Sequence, residues 1–383
     1  MKISMSADCF YPAQVGGPSS AIYWQAKALT KAGHNVTVVA TSHYLPPAVR
    51  LNQWLTTDCG QVIYTRNPHF YLPFVHVWYS WRAIRQSDVV HVNSLFYPAS
   101  IVWVILSRLM NKPVVWSPHG ELSPAALRFR PRLKKRLLQL FRYCSASVCF
   151  HTTSEAETFD VRSHFGPNSR VHEIRNMLEL PVPLTPNPPQ EPYLLFIGRL
   201  HPIKAIDRLI EAVSMSTQFC ERSYRLRIVG PEDDKAYSRK LRELVHALHL
   251  ESKIIIEEAV YGTMKEQLYA DAFITILPSH SENFGNVVIE SLAQGTPVIA
   301  STGTPWQLLA TERAGSWVSN EPESLRQAIE TYLTMPANDY ADYRKRAIEL
   351  ARRHYDILQN IDVWIRFYQT ILDERTDVQP KRH

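Results

Sequence analysis

Residues Pro278 to Ser301 read PSHSENFGNVVIESLAQGTPVIAS and follow the apolar run Phe273-Ile-Thr-Ile-Leu277. That run has the length and composition of a buried strand. Ser279 to Asn283 is polar and Gly285 is a turn residue. Asn286 to Gln294 then carries Val287, Val288, Leu292 and Ala293 at positions a helix can bury. Gly295 stands where a helix C′ residue belongs, and Thr296-Pro-Val-Ile-Ala300 reads as the next buried strand. A strand, a turn and a helix N-terminus make an anion site, because the first helical amides lack intrahelical partners and carry the positive end of the dipole. Glu282 and Glu290 flank that site. Carboxylates repel a phosphate, but they accept hydrogen bonds from hydroxyls on the groups at either end of a diphosphate. A ribose at one end and a sugar at the other describe a nucleotide-sugar.

Two glutamates eight apart carry no information alone; the strand, Gly turn, helix and second strand around them do. In that context Glu282-Asn-Phe-Gly-Asn-Val-Val-Ile-Glu290, followed by Ser-Leu-Ala-Gln-Gly-Thr-Pro-Val-Ile-Ala300, resembles the Glu-x7-Glu motif of the retaining glycosyltransferases of family 4, group 1. The resemblance implies a GT-B fold: α/β, with two Rossmann-like doubly wound parallel-sheet domains facing across a cleft. It also implies a metal-independent hexosyl- or N-acetylhexosaminyl-transferase that uses a nucleotide-sugar as co-substrate and needs no cofactor.

The totals agree with two domains. The chain has 383 residues, 45% hydrophobic and 20% charged, a globular composition. Its five cysteines are scattered without a CxxC pair, which argues against a disulfide framework or a zinc site and suits a reducing compartment. Met1 to Asp8 lacks an apolar signal-peptide core, and Leu95 to Leu106 is too short to span a bilayer. A cytoplasmic location follows as an expectation. The net charge of +6 is uneven: residues 1–185 hold 19 Lys+Arg against 9 Asp+Glu, and the remainder 23 against 27. An anionic partner is therefore expected on the first half.

Lys2 to Ala7 reads as the first strand, Gly16-Gly17-Pro18-Ser19-Ser20 as a loop, Ala21 to Ala32 as a helix and Val36 to Ala40 as the second strand. There is no GxGxxG, which argues against a dinucleotide cofactor. Gly16 and Gly17 resemble the family's first loop, which approaches the donor phosphates and the acceptor. Phe70 to Arg85 is rich in aromatics; it reads as core packing, with an acceptor- or membrane-facing lip as the alternative. Val114 to Ser117 leads as a strand into Pro118-His119-Gly120-Glu121. By the resemblance, His119 lies near the anomeric centre and hydrogen-bonds the donor sugar.

Arg128 to Arg142 holds Arg128, Arg130, Arg132, Lys134, Lys135, Arg136 and Arg142 with no acid, and Leu133, Leu137, Leu138, Leu140 and Phe141 give it an apolar face. A basic amphipathic helix of this kind meets an anionic membrane surface or a lipid-linked diphosphate acceptor; a merely solvated face is the alternative. No nucleic-acid module accompanies the charge. Ser154-Glu-Ala-Glu157 reads as a capping box.

Glu179 to Pro192, with six prolines, reads as a linker. The domains expected are 1–182 and 183–354, with a last helix at 355–375 that, by the resemblance, packs back on the first domain. After the strand Tyr193 to Ile197 comes Gly198-Arg199-Leu-His-Pro-Ile-Lys204, which resembles the family's Gly-Arg-x5-Lys element. Arg199 and Lys204 are expected to neutralise the diphosphate as it leaves. Gly230 ends the next strand, Glu232-Asp-Asp234 reads as a solvated cluster, and Tyr261 with Gly262 is placed near the base. Glu290 is expected on the ribose, Glu282 on the donor sugar, and the amides of Asn283, Phe284, Gly285 and Asn286 around the diphosphate. The acceptor is expected to be a glycan or a lipid-linked, O-antigen-like intermediate. Alternatives are a GT-B nucleotide-sugar 2-epimerase, which needs no acceptor, and a non-catalytic two-lobed sugar-binding protein.

Overall fold

A computed structural model describes residues 1–13, 16–67, 73–128, 130–187 and 191–378. Phe70 and Tyr71 of the aromatic stretch lie outside the described residues. The chain divides into two compact units: Met1–Glu179 with the chain from Ile357 on, and Leu180–Asp356.

The strands of unit 1 are β1 (Lys2–Ala7), β2 (Asn35–Thr41), β3 (Trp54–Thr57), β4 (Gly60–Thr65), β5 (Val89–Asn93), β6 (Val114–Ser117), β7 (Val148–Thr152) and β8 (Val171–Glu173). Its helices are α1 (Gly16–Lys31), α2 (Phe74–Gln86), α3 (Pro98–Leu109), α4 (Pro124–Leu127), α5 (Pro131–Cys144) and α6 (Glu155–Phe165). Unit 2 contains β9 (Tyr193–Ile197), β10 (Arg225–Val229), β11 (Ile254–Glu257), β12 (Ile274–Leu277), β13 (Val298–Ser301) and β14 (Gly315–Val318). Its helices are α7 (Ile206–Ser214), α8 (Thr217–Glu221), α9 (Lys235–Ala247), α10 (Thr263–Asp271), α11 (Asn286–Ala293), α12 (Leu308–Thr311), α13 (Pro322–Leu333) and α14 (Ala337–Tyr355). The last helix, α15 (Ile357–Val378), belongs to unit 1.

The sheet of unit 2 runs β11-β10-β9-β12-β13-β14, parallel throughout. Counted from β9 this is the order 3-2-1-4-5-6 of a doubly wound sheet, and its switch point lies between β9 and β12. Every residue of β9, β12 and β13 is buried, as the continuous apolar runs require of strands covered on both faces. Leu194 and Phe196 of β9 join the core under α7, α9 and α13, while Tyr193, Leu195 and Ile197 face α10.

The sheet of unit 1 runs β3-β4-β2-β1-β5-β6-β7-β8, parallel except for the β3–β4 hairpin. One face packs on α1 and α15, the other on α2, α3 and α5. Helix α1 starts at Gly16, so the Gly-Gly pair forms its first turn instead of a preceding loop, with Ser19 Oγ donating to Ala13 O at 3.0 Å. Pro18 is tolerated because first-turn amides have no intrahelical acceptor to lose.

A buried polar chain ties α15 to the sheet. His151 Nε2 faces the Ile174 carbonyl at 2.9 Å and must donate to it, so its Nδ1 accepts from Ser117 Oγ at 2.7 Å. Ser117 then accepts from His91 Nε2 at 2.6 Å, and His91 Nδ1 accepts from the Tyr368 hydroxyl at 2.7 Å. Gln25 Nε2 donates to Tyr368 at 2.9 Å and closes the direction of the chain. Both imidazoles are neutral: burial pushes His151 down to about 3 and His91 well below its ordinary value. Burial likewise pushes His76 down to about 3. Below the unfolded histidine value of 6.5 the unfolded chain takes up protons that these groups refuse, so stability present at pH 7 is lost as the pH falls. By pH 5 the loss is about 2 kcal/mol each for His76 and His151. His91 and His119, also depressed by burial, add to the loss, while Glu121, raised to about 7, and Asp8 and Glu157, raised by burial, work in the opposite direction. Urea melts should show the midpoint falling between pH 7 and pH 5. A constant midpoint would mean that the buried imidazoles do not outweigh the buried carboxyls.

Candidate functional site

Four loops of unit 2 meet at the strand C-termini around the switch point. His280 N donates to Ile203 O at 2.8 Å, and Leu200 N to Pro231 O at 2.9 Å. Glu282 N donates to Gly303 O at 3.0 Å, and Ser301 Oγ to Ser279 O at 2.5 Å. The loops after β9, β10, β12 and β13 are thus one hydrogen-bonded body. Gly230 is required within it: a Cβ there would stand 1.8 Å from the Gly198 carbonyl oxygen. Gly230→Ala should cost about 3 kcal/mol, because backbone cannot yield as a side chain does. A calorimetric unfolding temperature for unit 2 equal to wild type would contradict this.

Lys204 ends a single 3₁₀ turn, Pro202–Lys204, and forms an ion pair with Glu282 Oε1. Both side chains are only 14% exposed, so the pair is largely shielded from solvent. Ser279 Oγ donates to the same carboxylate oxygen at 2.8 Å. Arg199 is placed differently. It is 52% exposed and pairs with Asp233 at 2.8 Å. The Glu232-Asp-Asp234 stretch lies at the surface, with Glu232 and Asp233 exposed as read, and it also makes local contacts: Glu232 pairs with Arg242, Asp233 with Arg199, and Asp234 caps α9 by accepting from Ala236 N and Tyr237 N.

Gly285 has φ +86° and is the residue before α11; as a glycine it supplies no capping side chain itself. The left-handed conformation is what makes Gly the fitting residue. Phe284 is buried edge-on against Trp306, whose Nε1 donates to the Phe284 carbonyl at 2.5 Å. This fixes the peptide that leads into the helix, and Phe284 itself is an anchor beneath the site. Asn283 and Asn286 occupy the rim and the first helical position.

Glu290 lies one turn into α11. Its Oε2 accepts from Lys265 Nζ at 2.7 Å and from the Tyr269 hydroxyl at 2.9 Å. Burial, together with the Glu290 carboxylate, holds the Tyr269 phenol protonated, so it is the donor. A carboxylate has about four acceptor positions, which leaves two for hydroxyls of a ligand. Lys265 and Tyr269 sit four apart on α10, on one face of that helix. Neither is singled out by the sequence reading, although the i,i+4 spacing one helix upstream of Glu290 was the available signal. Tyr261 is half exposed in the turn after β11, next to Gly262.

In unit 1, Asn93 ends β5 and donates through Nδ2 to Ser6 O at 2.8 Å, which leaves its Oδ1 as acceptor. His119 Nε2 meets that oxygen at 2.8 Å and therefore donates, so Nδ1 is the acceptor of the ring. Burial pushes His119 down to about 4, and the imidazole is neutral at pH 7. A neutral ring with an Nδ1 lone pair suits a hydroxyl donor better than a phosphate. Gly120 N donates to Glu157 Oε1 at 2.6 Å, and Glu157 Oε2 accepts from Thr153 N at 2.8 Å. The capping box is thus half as expected: Ser154 Oγ accepts from Glu157 N, while Glu157 reaches Thr153 and the His119-Gly120 loop. Gly16 and Gly17 lie at the start of α1.

The basic helix is shorter than the sequence suggests. Arg130 has φ +52° and breaks the chain between α4 and α5, so Arg128 and Arg130 precede the helix that carries Arg132, Lys134, Lys135 and Arg136. Lys134 folds back: its Nζ donates to Ala126 O at 2.8 Å and lies 4.6 Å from the centre of the Phe96 ring. Among the described residues no group of three or more His, Cys, Asp or Glu could hold a metal ion.

Residues 15–180 match the model of the Glycosyltransferase Family 4 domain, and residues 184–354 that of Glycosyl transferases group 1. An uncharacterized glycosyltransferase of Methanocaldococcus jannaschii is 26% identical over 365 residues, covering 87% of this chain and 89% of its own length. Sucrose-phosphate synthase from Thermosynechococcus elongatus superposes with a TM-score of 0.75 at 19% identity, over 97% of this chain and 100% of its own. Anabaena HepE in complex with UDP and glucose does so with a TM-score of 0.72 at 18% identity, over 95% and 99%. Taken with the strand order and the loops around Glu282 and Glu290, these matches show that the chain belongs to the group 1, family 4 glycosyltransferases and has their GT-B fold.

Proposed function

We propose that the protein moves a sugar from a nucleoside-diphosphate sugar to a hydroxyl acceptor, with retention at the anomeric carbon. The observation that carries this is the pair of carboxylates on either side of the α11 N-terminus. Glu290 is braced by Lys265 and Tyr269, and Glu282 is ion-paired with Lys204. Glu290 takes the ribose hydroxyls and Glu282 those of the donor sugar. The amides around Gly285, with Lys204, take the diphosphate. Arg199 contributes from the exposed rim. The diphosphate competes with Glu282 for Lys204, so the ammonium bridges carboxylate and phosphate as charge develops on the leaving group. His119, neutral and hydrogen-bonded through Nε2, offers Nδ1 to a sugar hydroxyl.

HepE, the structural neighbour above, binds UDP, which favours a uridine donor here. No metal is required, because Lys204 and the helix N-terminus supply the positive charge. The acceptor is a lipid-linked or surface-glycan intermediate on the cytoplasmic side, a reading that rests on the basic first half.

Purified protein given a panel of UDP-, GDP- and ADP-sugars and a lipid-linked acceptor should release nucleoside diphosphate only when the acceptor is present. The product should keep the donor's anomeric configuration by proton NMR. An inverted product would exclude retention. Conversion of the donor without acceptor would indicate an epimerase instead.

A further inference from the structure

Helices α2, α3 and α5 cover one face of the unit 1 sheet, and α1 with α15 covers the other. The first face has an unusual composition. Residues 59–154 contain Asp88 and Glu121 as their only carboxylates, against 12 Lys+Arg. Glu121 is drawn into the loop before α3, where Ser94 Oγ donates to it at 2.7 Å; Asp88, exposed just after α2, accepts from Lys2 N at 2.7 Å. None of the three helices contains an acidic residue.

The same helices leave large apolar side chains in solvent. Phe74 is 71% and Trp78 53% exposed on α2, Leu109 is 78% exposed on α3, and Tyr143 is 88% exposed on α5; Ile105 and Leu140 add to them. On α2 the exposed residues recur as Phe74, Trp78, Arg82 and Arg85, one stripe along the helix. Arg82 lies 4.9 Å from the centre of the Trp78 ring, and Arg85 lies 5.8 Å from that of Trp81. Trp54, Trp81, Arg82 and Arg85 also line a hollow of about 480 Å³ at the β3 margin, and among the described residues no carboxylate lines it.

Aromatic rings, aliphatic tips and guanidinium groups without acids are the composition that settles at the headgroup level of an anionic bilayer. Scattered exposed hydrophobics, of which the chain has others such as Tyr44, Phe159 and Met264, need no explanation, but Phe74, Trp78, Ile105, Leu109, Leu133, Leu140 and Tyr143 share adjacent helices that carry positive charge and no acid of their own. We propose that the α2–α3–α5 face of unit 1 docks on an anionic membrane. Phe74 and Trp78 enter the headgroup layer, and the Trp54–Arg85 hollow receives a lipid phosphate. The face is broader than the single basic helix expected from the sequence, and its anchors are the aromatics of α2 that the sequence suggested were core. Why such an enzyme should sit on a bilayer rests on the lipid-linked acceptor proposed above.

The test is sedimentation of the full chain with phosphatidylglycerol–phosphatidylcholine vesicles and with phosphatidylcholine alone. Binding is expected to the first and not the second, and it should weaken as salt is raised. Phe74→Ser with Trp78→Ser, and separately Arg132→Glu with Lys135→Glu, should each lower the partition at least about tenfold with unchanged unfolding transitions. The idea is overturned if wild type ignores anionic vesicles, or if both double variants bind as wild type does. It is also overturned if a soluble polyanion binds equally well with Phe74 and Trp78 removed. Transfer to a soluble acceptor, assayed on the same preparations, separates the two readings. Transfer without vesicle binding removes the docking face alone, and vesicle binding without transfer removes the enzymatic reading alone.

Discussion

Lys204→Ala is expected to lower kcat/KM by about 10³-fold, the scale found when one preorganised charge is removed from a developing oxyanion. Two effects combine. The leaving diphosphate loses a cation that is largely shielded from water, and Glu282 loses its ion-pair partner while keeping Ser279. The shielding makes the effect large, since a charge in a low-dielectric site is worth more than one in solvent. Arg199→Ala should cost only about tenfold, because Arg199 is half exposed and already paired with Asp233. The ordering is the diagnostic part. Steady-state kinetics that place Arg199 above Lys204, or that leave Lys204→Ala within a few-fold of wild type, would contradict the assignment of the shielded charge.

Glu290→Ala is expected to weaken nucleotide binding by about 100-fold or more, since hydrogen bonds to a charged acceptor contribute about 1.5–3 kcal/mol each. The substitution also strips the buried Tyr269 hydroxyl of its acceptor and separates Lys265 from its partner. Some loss of stability will therefore accompany the loss of binding, at about 1–3 kcal/mol. Glu290→Gln separates the two, because its carbonyl oxygen still accepts from Tyr269 while the charge is gone. Calorimetric titration should find Glu290→Gln folded like wild type and impaired in binding. Binding equal to wild type in both variants would remove Glu290 from the ligand site.

How much of this was legible in the sequence follows from how local each signal is. The central strand, turn, helix and strand were readable because each rests on neighbours in the chain. Gly285 and Gly295 both have the positive φ expected of turn and C′ residues, and the runs 273–277 and 296–300 overlap β12 and β13. What failed was non-local. Lys265 and Tyr269 reach Glu290 from a separate helix, and their i,i+4 spacing alone does not tie them to it. The His91–Ser117–His151–Tyr368 chain joins four distant segments and has no motif at all. The Gly16-Gly17 pair was misplaced into a loop because glycine argues against a helix interior. That penalty is the backbone entropy lost in a helix interior, and it is smaller in a first turn, which is held by fewer intrahelical bonds. The basic segment looked like one helix because charge and apolar period continued through Arg130; only the left-handed backbone there reveals the break between α4 and α5. Arg199 and Lys204 looked alike in sequence and differ in exposure, which only packing decides.

The most direct test of the central claim is a thermal-shift series with UDP, GDP, ADP and CMP on the wild type and on Glu290→Gln. A ligand at ~100 times its Kd should stabilise the folded protein by about 2.7 kcal/mol, a rise of a few degrees. One nucleoside diphosphate should give that rise with the wild type and lose it with Glu290→Gln. A rise of equal size in both proteins, or none with any of the nucleotides, would contradict the placement of a nucleotide-sugar against Glu290 and Lys204.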